Sequence, residues 1–239
     1  MLFIQHIVGE IRDFIENRSN KKILNAEKSS WPRADARDMI FQDQTKLELG
    51  HPSKESVSFL ICAEEEDLVR DGRITCIGPD ISDTKEKHLP FGKILITHGH
   101  GFNETNRRER YRTLAMAKYD LSLKGYMARN VPQNFAEWCR ISKDAVSNGF
   151  SFTILGNASI TKIKELDFIT SAEIVYVTSS KEDVKIVKEF ANRHEKFLRS
   201  LVKRNDGVVM NCKSCGYHEV CDEASELKKL RKKTRKEYE

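Results

Sequence analysis

No stretch of the 239 residues approaches the roughly 18 consecutive apolar residues that a membrane span needs, so no transmembrane segment is expected. No signal peptide is expected either: the apolar residues near the N-terminus are broken by His6, Glu10, Arg12 and Asp13, a pattern that suits an amphipathic helix better. Six cysteines without an export signal exclude a disulfide framework and point to a reducing cytoplasm. The chain has no G-x-S-x-G nucleophile elbow, no G-x-x-x-x-G-K-S/T phosphate loop and no internal repeat. A preponderance of one charge is also missing: 41 Lys and Arg face 36 Asp and Glu. Much of the small positive excess is gathered at the end, in Lys228, Lys229, Arg231, Lys232, Lys233, Arg235 and Lys236. That run has no interleaved aromatics, and Asp222, Glu223 and Glu226 blunt its start, so a solvated helix is expected; the alternative is a zinc-knuckle binding module whose basic tail meets nucleic acid or a protein partner.

What the chain does contain is an alternation of strands and helices, which implies an α/β domain: a mixed sheet with flanking helices, then a small cysteine knuckle and a C-terminal helix. Ile4, Ile7, Val8, Ile11, Phe14 and Ile15 recur at helical spacing and define a first helix. Residues 21–55 are polar and poorly periodic, with Trp31-Pro32 and His51-Pro52 as breakers, and read as loop with short helical pieces. Strands are expected at residues 57–62, 74–77, 93–97, 136–141 and 172–177. Residues 103–126 read as one long helix with a basic early face of Arg107, Arg108, Arg110 and Arg112. Ser142 opens a short helix that ends at Asn148-Gly149, and Ser179 with Glu182 forms a capping box for the last long helix of the domain. The expected division is residues 1–55, an α/β domain over 56–207, a knuckle over 208–222 and a basic helix over 223–239.

The knuckle carries the strongest chemical signal. Cys212-Lys-Ser-Cys215-Gly-Tyr-His218-Glu-Val-Cys221 packs three thiols into ten residues, while Cys62, Cys76 and Cys139 are scattered. A C-x-x-C turn places two sulfurs on one metal, and the third cysteine is near enough to fill a third position. Three thiolates with His218 make a closed zinc site; three thiolates with an external fourth ligand hold a [4Fe–4S] cluster. The spacing leaves both open. A second candidate pair is His98-Gly-His100, at the end of a buried-type strand, where residues i and i+2 share a face; it suits a metal ion or a general base, or else two solvated turn histidines.

Several runs then resemble one family. Trp138-Cys-Arg140-Ile-Ser142-Lys143-Asp144-Ala, followed by Gly149-Phe150, is similar to the W-x-R-x-S-K-D-A-x-x-x-G-F run of acetyl-CoA synthase, the β subunit of the CO dehydrogenase/acetyl-CoA synthase complex. Asp71-Gly-Arg-Ile-Thr-Cys-Ile77-Gly-Pro-Asp80-Ile81 resembles that family's D-G-K-I-x-x-I-G-P-D-I element, and Leu89-Pro90-Phe91-Gly92 its L-P-x-G strand. The pair Arg107-Arg108 and the strand Ile174-Val-Tyr-Val-Thr178 fall in the same order. The resemblance covers residues 56–204, with a weaker extension through Asp222.

The resemblance implies the family's middle α/β domain feeding a metal-bearing segment. The family enzyme joins a methyl group, CO and coenzyme A at a cubane bridged to two nickels. Cys212, Cys215 and Cys221 fall where its first three cubane cysteines lie. The third follows after a shorter gap than in the family, and no fourth cubane cysteine or C-G-C nickel motif follows. The expectation is therefore a shortened member with an iron–sulfur cluster or zinc, nickel not being held by this chain alone, and with a partner subunit. Arg140 and Lys143 suit an anionic group such as a phosphate of coenzyme A or an acyl-CoA, or alternatively an ion pair with Asp144 or Glu137; Trp138 is either core or a stacking surface for that ligand.

Overall fold

The structure, a computed structural model, describes residues 2–27, 31–35, 38–103, 105–131 and 135–205. The elements in order are α1 (Leu2–Glu16), β1 (Lys21–Asn25), β2 (Thr45–Leu49), β3 (Ser56–Ala63), β4 (Arg73–Ile77), β5 (His88–Leu89), β6 (Phe91–Gly99), α2 (Arg107–Ala117), β7 (Tyr126–Val131), β8 (Ala136–Ser142), α3 (Lys143–Ser147), α4 (Phe152–Lys164), β9 (Ile169–Val177) and α5 (Lys181–Asn205). The chain divides into a unit of residues 1–195 and a second of 196–239, of which the end of α5 at residues 196–205 is described. Among the described residues no helix is long and apolar enough to cross a membrane.

The first sheet has the order β1-β4-β9-β6-β3. Its β4–β9 and β6–β3 pairs are parallel, and its β1–β4 and β9–β6 pairs antiparallel. Because strand side chains alternate between faces, a strand covered on both sides reads as an unbroken apolar run. In β6, Ile94 and Ile96 enter one core, while Phe91 and Leu95 enter the other. In β9, Val175 and Val177 part in the same way from Ile174 and Tyr176. The α1 stripe Ile7, Val8, Ile11, Phe14 and Ile15 closes one face together with Val184, Val187 and Phe190 of α5, and Phe14 meets Phe190 edge-on at 6.0 Å. Each such side chain contributes about 1.5–3 kcal/mol when buried. On the other face lies α4, whose Phe152 stacks on Tyr176 at 4.6 Å.

The second sheet, ordered β5-β2-β8-β7, supplies the remaining cover of that core. It joins the first where Ser56 Oγ donates to the Glu137 carbonyl at 2.6 Å and accepts the Glu137 N–H at 3.0 Å.

The α/β architecture with mixed sheets and flanking helices is thus as the sequence implies, up to residue 205; the knuckle and the basic helix lie outside the described residues. Three local expectations are corrected. Residues 21–55, expected as loop with short helical pieces, contain no helix among the described residues and supply β1 and β2, one to each sheet. The helix expected over 103–126 runs only from Arg107 to Ala117, and the chain then turns into β7. The side-chain cap of α5 comes from Ser180, whose Oγ accepts the Asp183 N–H at 3.1 Å, while Ser179 Oγ instead donates to the Asp183 carboxylate at 2.5 Å. Ser142 caps α3 as expected, its Oγ accepting the Ala145 N–H at 3.1 Å.

Candidate functional site

The second sheet gathers a polar array around Glu48. In the strand register Glu48 of β2 faces His88 of β5 on one side and Arg140 of β8 on the other. Residues directly opposite share a face, so three charged or titratable side chains form one row. Trp138, two residues before Arg140, joins the same face. Arg140 Nε donates to Glu48 Oε1 at 2.9 Å, and its Nη1 donates to the Ile40 carbonyl at 3.4 Å. The guanidinium also sits 4.7 Å from the centre of the Trp138 ring, a distance at which cation and ring attract. Glu48 is only 3% exposed, and the guanidinium is its hydrogen-bonded partner of opposite charge.

The turn after β2 brings a second imidazole onto the array. Gly50 has φ of +64°, a conformation that favours glycine, and the following His51 folds back over His88. The two rings stack at 4.2 Å with 15° between their planes, and His51 meets Trp138 edge-on at 6.0 Å. His88 Nε2 lies 3.2 Å and His51 Nε2 3.6 Å from Glu48 Oε2. Burial, aided by the neighbouring His51, lowers the pKa of His88 against the pull of Glu48. The Nδ1 of His51 accepts the Ser53 N–H at 3.1 Å and lies 2.8 Å from Ser53 Oγ. The ligand atoms of Glu48, His51 and His88 all fall within 4.8 Å of one another.

Of the residues singled out by sequence, Trp138 and Arg140 belong to this array. Arg140 pairs with neither Asp144 nor Glu137, the partners expected from sequence, but with Glu48. Lys143 opens α3, its N–H donating to the Gln44 carbonyl at 2.9 Å. It lines an open cleft of about 680 Å³ together with Trp31, Lys124, Asp43, Asp144 and Ile40, the residue whose carbonyl holds Arg140. His98 and His100 lie elsewhere, at the far end of β6. His98 Nδ1 is 2.5 Å from Thr170 Oγ1, and His100 is exposed, its backbone N–H donating to the Phe168 carbonyl. The basic start of α2 is engaged in part: Arg107 pairs with Glu64 at 3.3 Å, and Arg110 donates to the carbonyls of His100 and Gly101. Cys212, Cys215, His218 and Cys221 lie outside the described residues.

Glu48, His51 and His88 were not legible as a group. Glu48 sits in a segment without clear periodicity, His51 precedes a proline and looks like a breaker, and His88 is 37 positions further on. Only the β2–β5 register unites them.

The other three cysteines are core residues. Burial pushes the Cys62 thiol up to about 11 and the Cys76 thiol up to about 12, and raises that of the fully buried Cys139 well above its ordinary range. None of them favours the thiolate that a metal needs.

Comparison with known proteins agrees with this architecture. Residues 36–184 match the family described as CO dehydrogenase/acetyl-CoA synthase complex beta subunit. The chain is 27% identical over 163 residues to the carbon monoxide dehydrogenase/acetyl-CoA synthase subunit alpha of Moorella thermoacetica, covering 65% of this chain and 22% of that protein. It is 30% identical over 150 residues to the acetyl-CoA decarbonylase/synthase complex subunit beta of Archaeoglobus fulgidus, covering 61% and 27%. With subunit beta 1 of the same complex from Methanosarcina thermophila it shares 26% identity over 176 residues, covering 71% and 36%. The match therefore spans about a third of each relative's length or less. It takes in β2 through β9, and with them the Glu48–Arg140 pair, Trp138 and the capped helix α3. By this match over more than half of its residues, the chain belongs to the CO dehydrogenase/acetyl-CoA synthase complex beta subunit family.

Proposed function

We propose that this chain is a metal-bearing component of one-carbon and acyl-CoA metabolism, related to acetyl-CoA synthase, that works with a partner subunit in a reducing cytoplasm. One observation carries the reading: the family domain leads through α5 toward a C-x-x-C-x₅-C segment, with Cys212 seven positions after Asn205. The names of the relatives, which are subunits of a complex, support a protein partner.

The ligand supply limits what that segment holds. A [4Fe–4S] cluster takes four ligands, usually thiolates. Cys62, Cys76 and Cys139 are committed to the cores with thiols that resist ionisation, so Cys212, Cys215 and Cys221 are the thiolates available. His218 or a group from a partner completes the set. These residues fit a cubane or a zinc ion; they do not fit a cluster that also carries two nickels, and nickel is not assigned to this chain alone. A bound iron–sulfur cluster supplies redox-active iron and a coordination position open to a partner or ligand.

Coenzyme A or an acyl-CoA is assigned to the second sheet. Lys143 and Lys124 line the cleft and suit phosphate oxygens, Trp31 and Pro32 offer an apolar wall, and Arg140 with Trp138 borders it through Ile40.

The test is the iron, sulfide, zinc and nickel content and the absorption spectrum of protein purified without oxygen. Iron and sulfide in about a four-to-four ratio, lost in Cys221→Ser, is the expected result. Zinc that is lost in Cys221→Ser, with no iron, would overturn it and make the knuckle a closed structural site.

A further inference from the structure

We infer that Glu48, His51 and His88 form a second metal site, for a divalent transition-metal ion of the zinc type, independent of the cysteines at 212–221. Two imidazoles and one carboxylate are ligands that such ions accept, and the nitrogen donors set the site apart from the all-oxygen cages of calcium or magnesium.

The distances suit the assignment. Metal–ligand bonds of about 2.0–2.1 Å in a tetrahedron put neighbouring donors about 3.3–3.4 Å apart. Glu48 Oε2 lies 3.2 Å from His88 Nε2 and 3.6 Å from His51 Nε2, so shifts of tenths of an ångström bring both pairs to that spacing. The third separation, between the two imidazoles, is within 4.8 Å, and joint ligation requires the His51 ring to turn out of its 15° stack on His88.

The surroundings have the character of a ligand-orienting shell. Arg140 holds Oε1 of Glu48 and leaves Oε2 turned toward the imidazoles. The register fixes His88 beside Glu48 on the neighbouring strand. His51 has Ser53 as a partner for its far nitrogen. In the metal-free form Nδ1 accepts the Ser53 N–H, which leaves the ring proton on Nε2. With an ion on Nε2 that proton passes to Nδ1 and is donated to Ser53 Oγ, 2.8 Å away, and the Ser53 N–H contact at 3.1 Å is given up. Both histidines keep about a third of their side chains in solvent, which gives the ion a way in, and three protein ligands would leave a fourth position open.

The test uses the full chain with Cys212→Ser, Cys215→Ser and Cys221→Ser, which removes the competing thiolates. Equilibrium dialysis near neutral pH is expected to give about one Zn²⁺ per chain. Co²⁺ should bind with visible d–d bands and without thiolate-to-metal charge transfer. His51→Gln and His88→Gln should each weaken binding at least about tenfold, and Ser53→Ala by about tenfold through the lost orienting bond. Unchanged thermal unfolding of the metal-free variants would tie those losses to ligation. In the chain with its cysteines intact, His88→Gln should remove the d–d component that has no charge-transfer partner. Absence of stoichiometric binding, or binding indifferent to both histidine substitutions, overturns the assignment. Because the iron measurement reads the cysteines and this one reads the histidines, either can fail alone.

Discussion

Lys93 Nζ donates to Glu137 Oε1 at 2.5 Å at the seam between the two sheets, with both side chains almost wholly out of solvent. The charges of Lys93 and Lys118, with the Lys93 hydrogen bond, outweigh burial and hold the Glu137 carboxyl below its ordinary range. Removing one member of such a pair strands the other, at a cost of about 3–5 kcal/mol. Glu137→Gln is therefore expected to lose that much in urea unfolding. Lys93→Met with Glu137→Leu should recover a large part of the loss. A loss under about 1 kcal/mol for Glu137→Gln would show that the pair is solvated or dispensable.

Lys118 is the third charge at this seam. Its Nζ donates to the Ser58 carbonyl at 3.0 Å, and the side chain is 7% exposed. One carboxylate cannot offset two ammonium groups. Burial first, and Lys93 next, lower the Lys118 pKa to about 7 from 10.5. Between those values the unfolded chain carries a proton that the native chain lacks, so the contribution of Lys118 to stability rises with pH. The slope is at most about 1.4 kcal/mol per pH unit. Lys118→Met should abolish it. The quantity to follow is the stability difference between wild type and Lys118→Met from pH 7 to 9, and a flat difference would refute the buried, half-neutral lysine.

The strands that carry the domain were legible: the apolar residues of β3, β4, β6 and β9 run together, β8 alternates between buried and half-buried positions, and all five lie where the sequence puts them. The missed elements were those whose logic is tertiary. In β2, the inward Leu47 and Leu49 flank Glu48, which is also buried because Arg140 meets it, and the expected polar–apolar alternation disappears. The edge strand β1 is largely exposed and pairs only with β4. The long helix expected over 103–126 fails where residues 118–125 turn into β7, a step with Gly125 at φ of +77°. Trp138 and Arg140 were visible through a family motif. Their companions Glu48, His51 and His88 come from two segments that only sheet pairing unites.

Cysteine reactivity separates the two thiol populations. Cys76 and Cys139 are buried, Cys62 is half-buried, and the thiols of all three are pushed up by burial. Thiolates, not thiols, react with iodoacetamide. In native protein near pH 8 these three should remain unmodified by peptide mass analysis, and denaturation in guanidinium should make them react fully. Native labelling of any of them at the rate of a free thiol would place it outside the core, and would return it to the pool of possible cluster ligands.

Gly50 ties the Glu48 array to the seam. Its N–H donates to the Leu89 carbonyl at 2.9 Å, and its φ of +64° turns the chain from β2 toward His51. A Cβ there would lie 2.3 Å from the Glu137 carbonyl oxygen and 2.7 Å from Ser56 Oγ, the two groups that join the sheets. Gly50→Ala therefore combines left-handed strain of about 1–2 kcal/mol with overpacking of about 1–3 kcal/mol. Gly149, after α3, gives the matched control: its φ is +88°, yet a Cβ would meet nothing within 4 Å. Gly149→Ala should lose only the strain. The expected order in urea unfolding is wild type, then Gly149→Ala, then Gly50→Ala, and only the last should also weaken Zn²⁺ binding by the histidines, since only that turn positions His51 against Glu48. Equal losses for the two variants would mean that the seam accommodates a methyl group, and that the contact between Gly50 and Glu137 is not what holds the array in place.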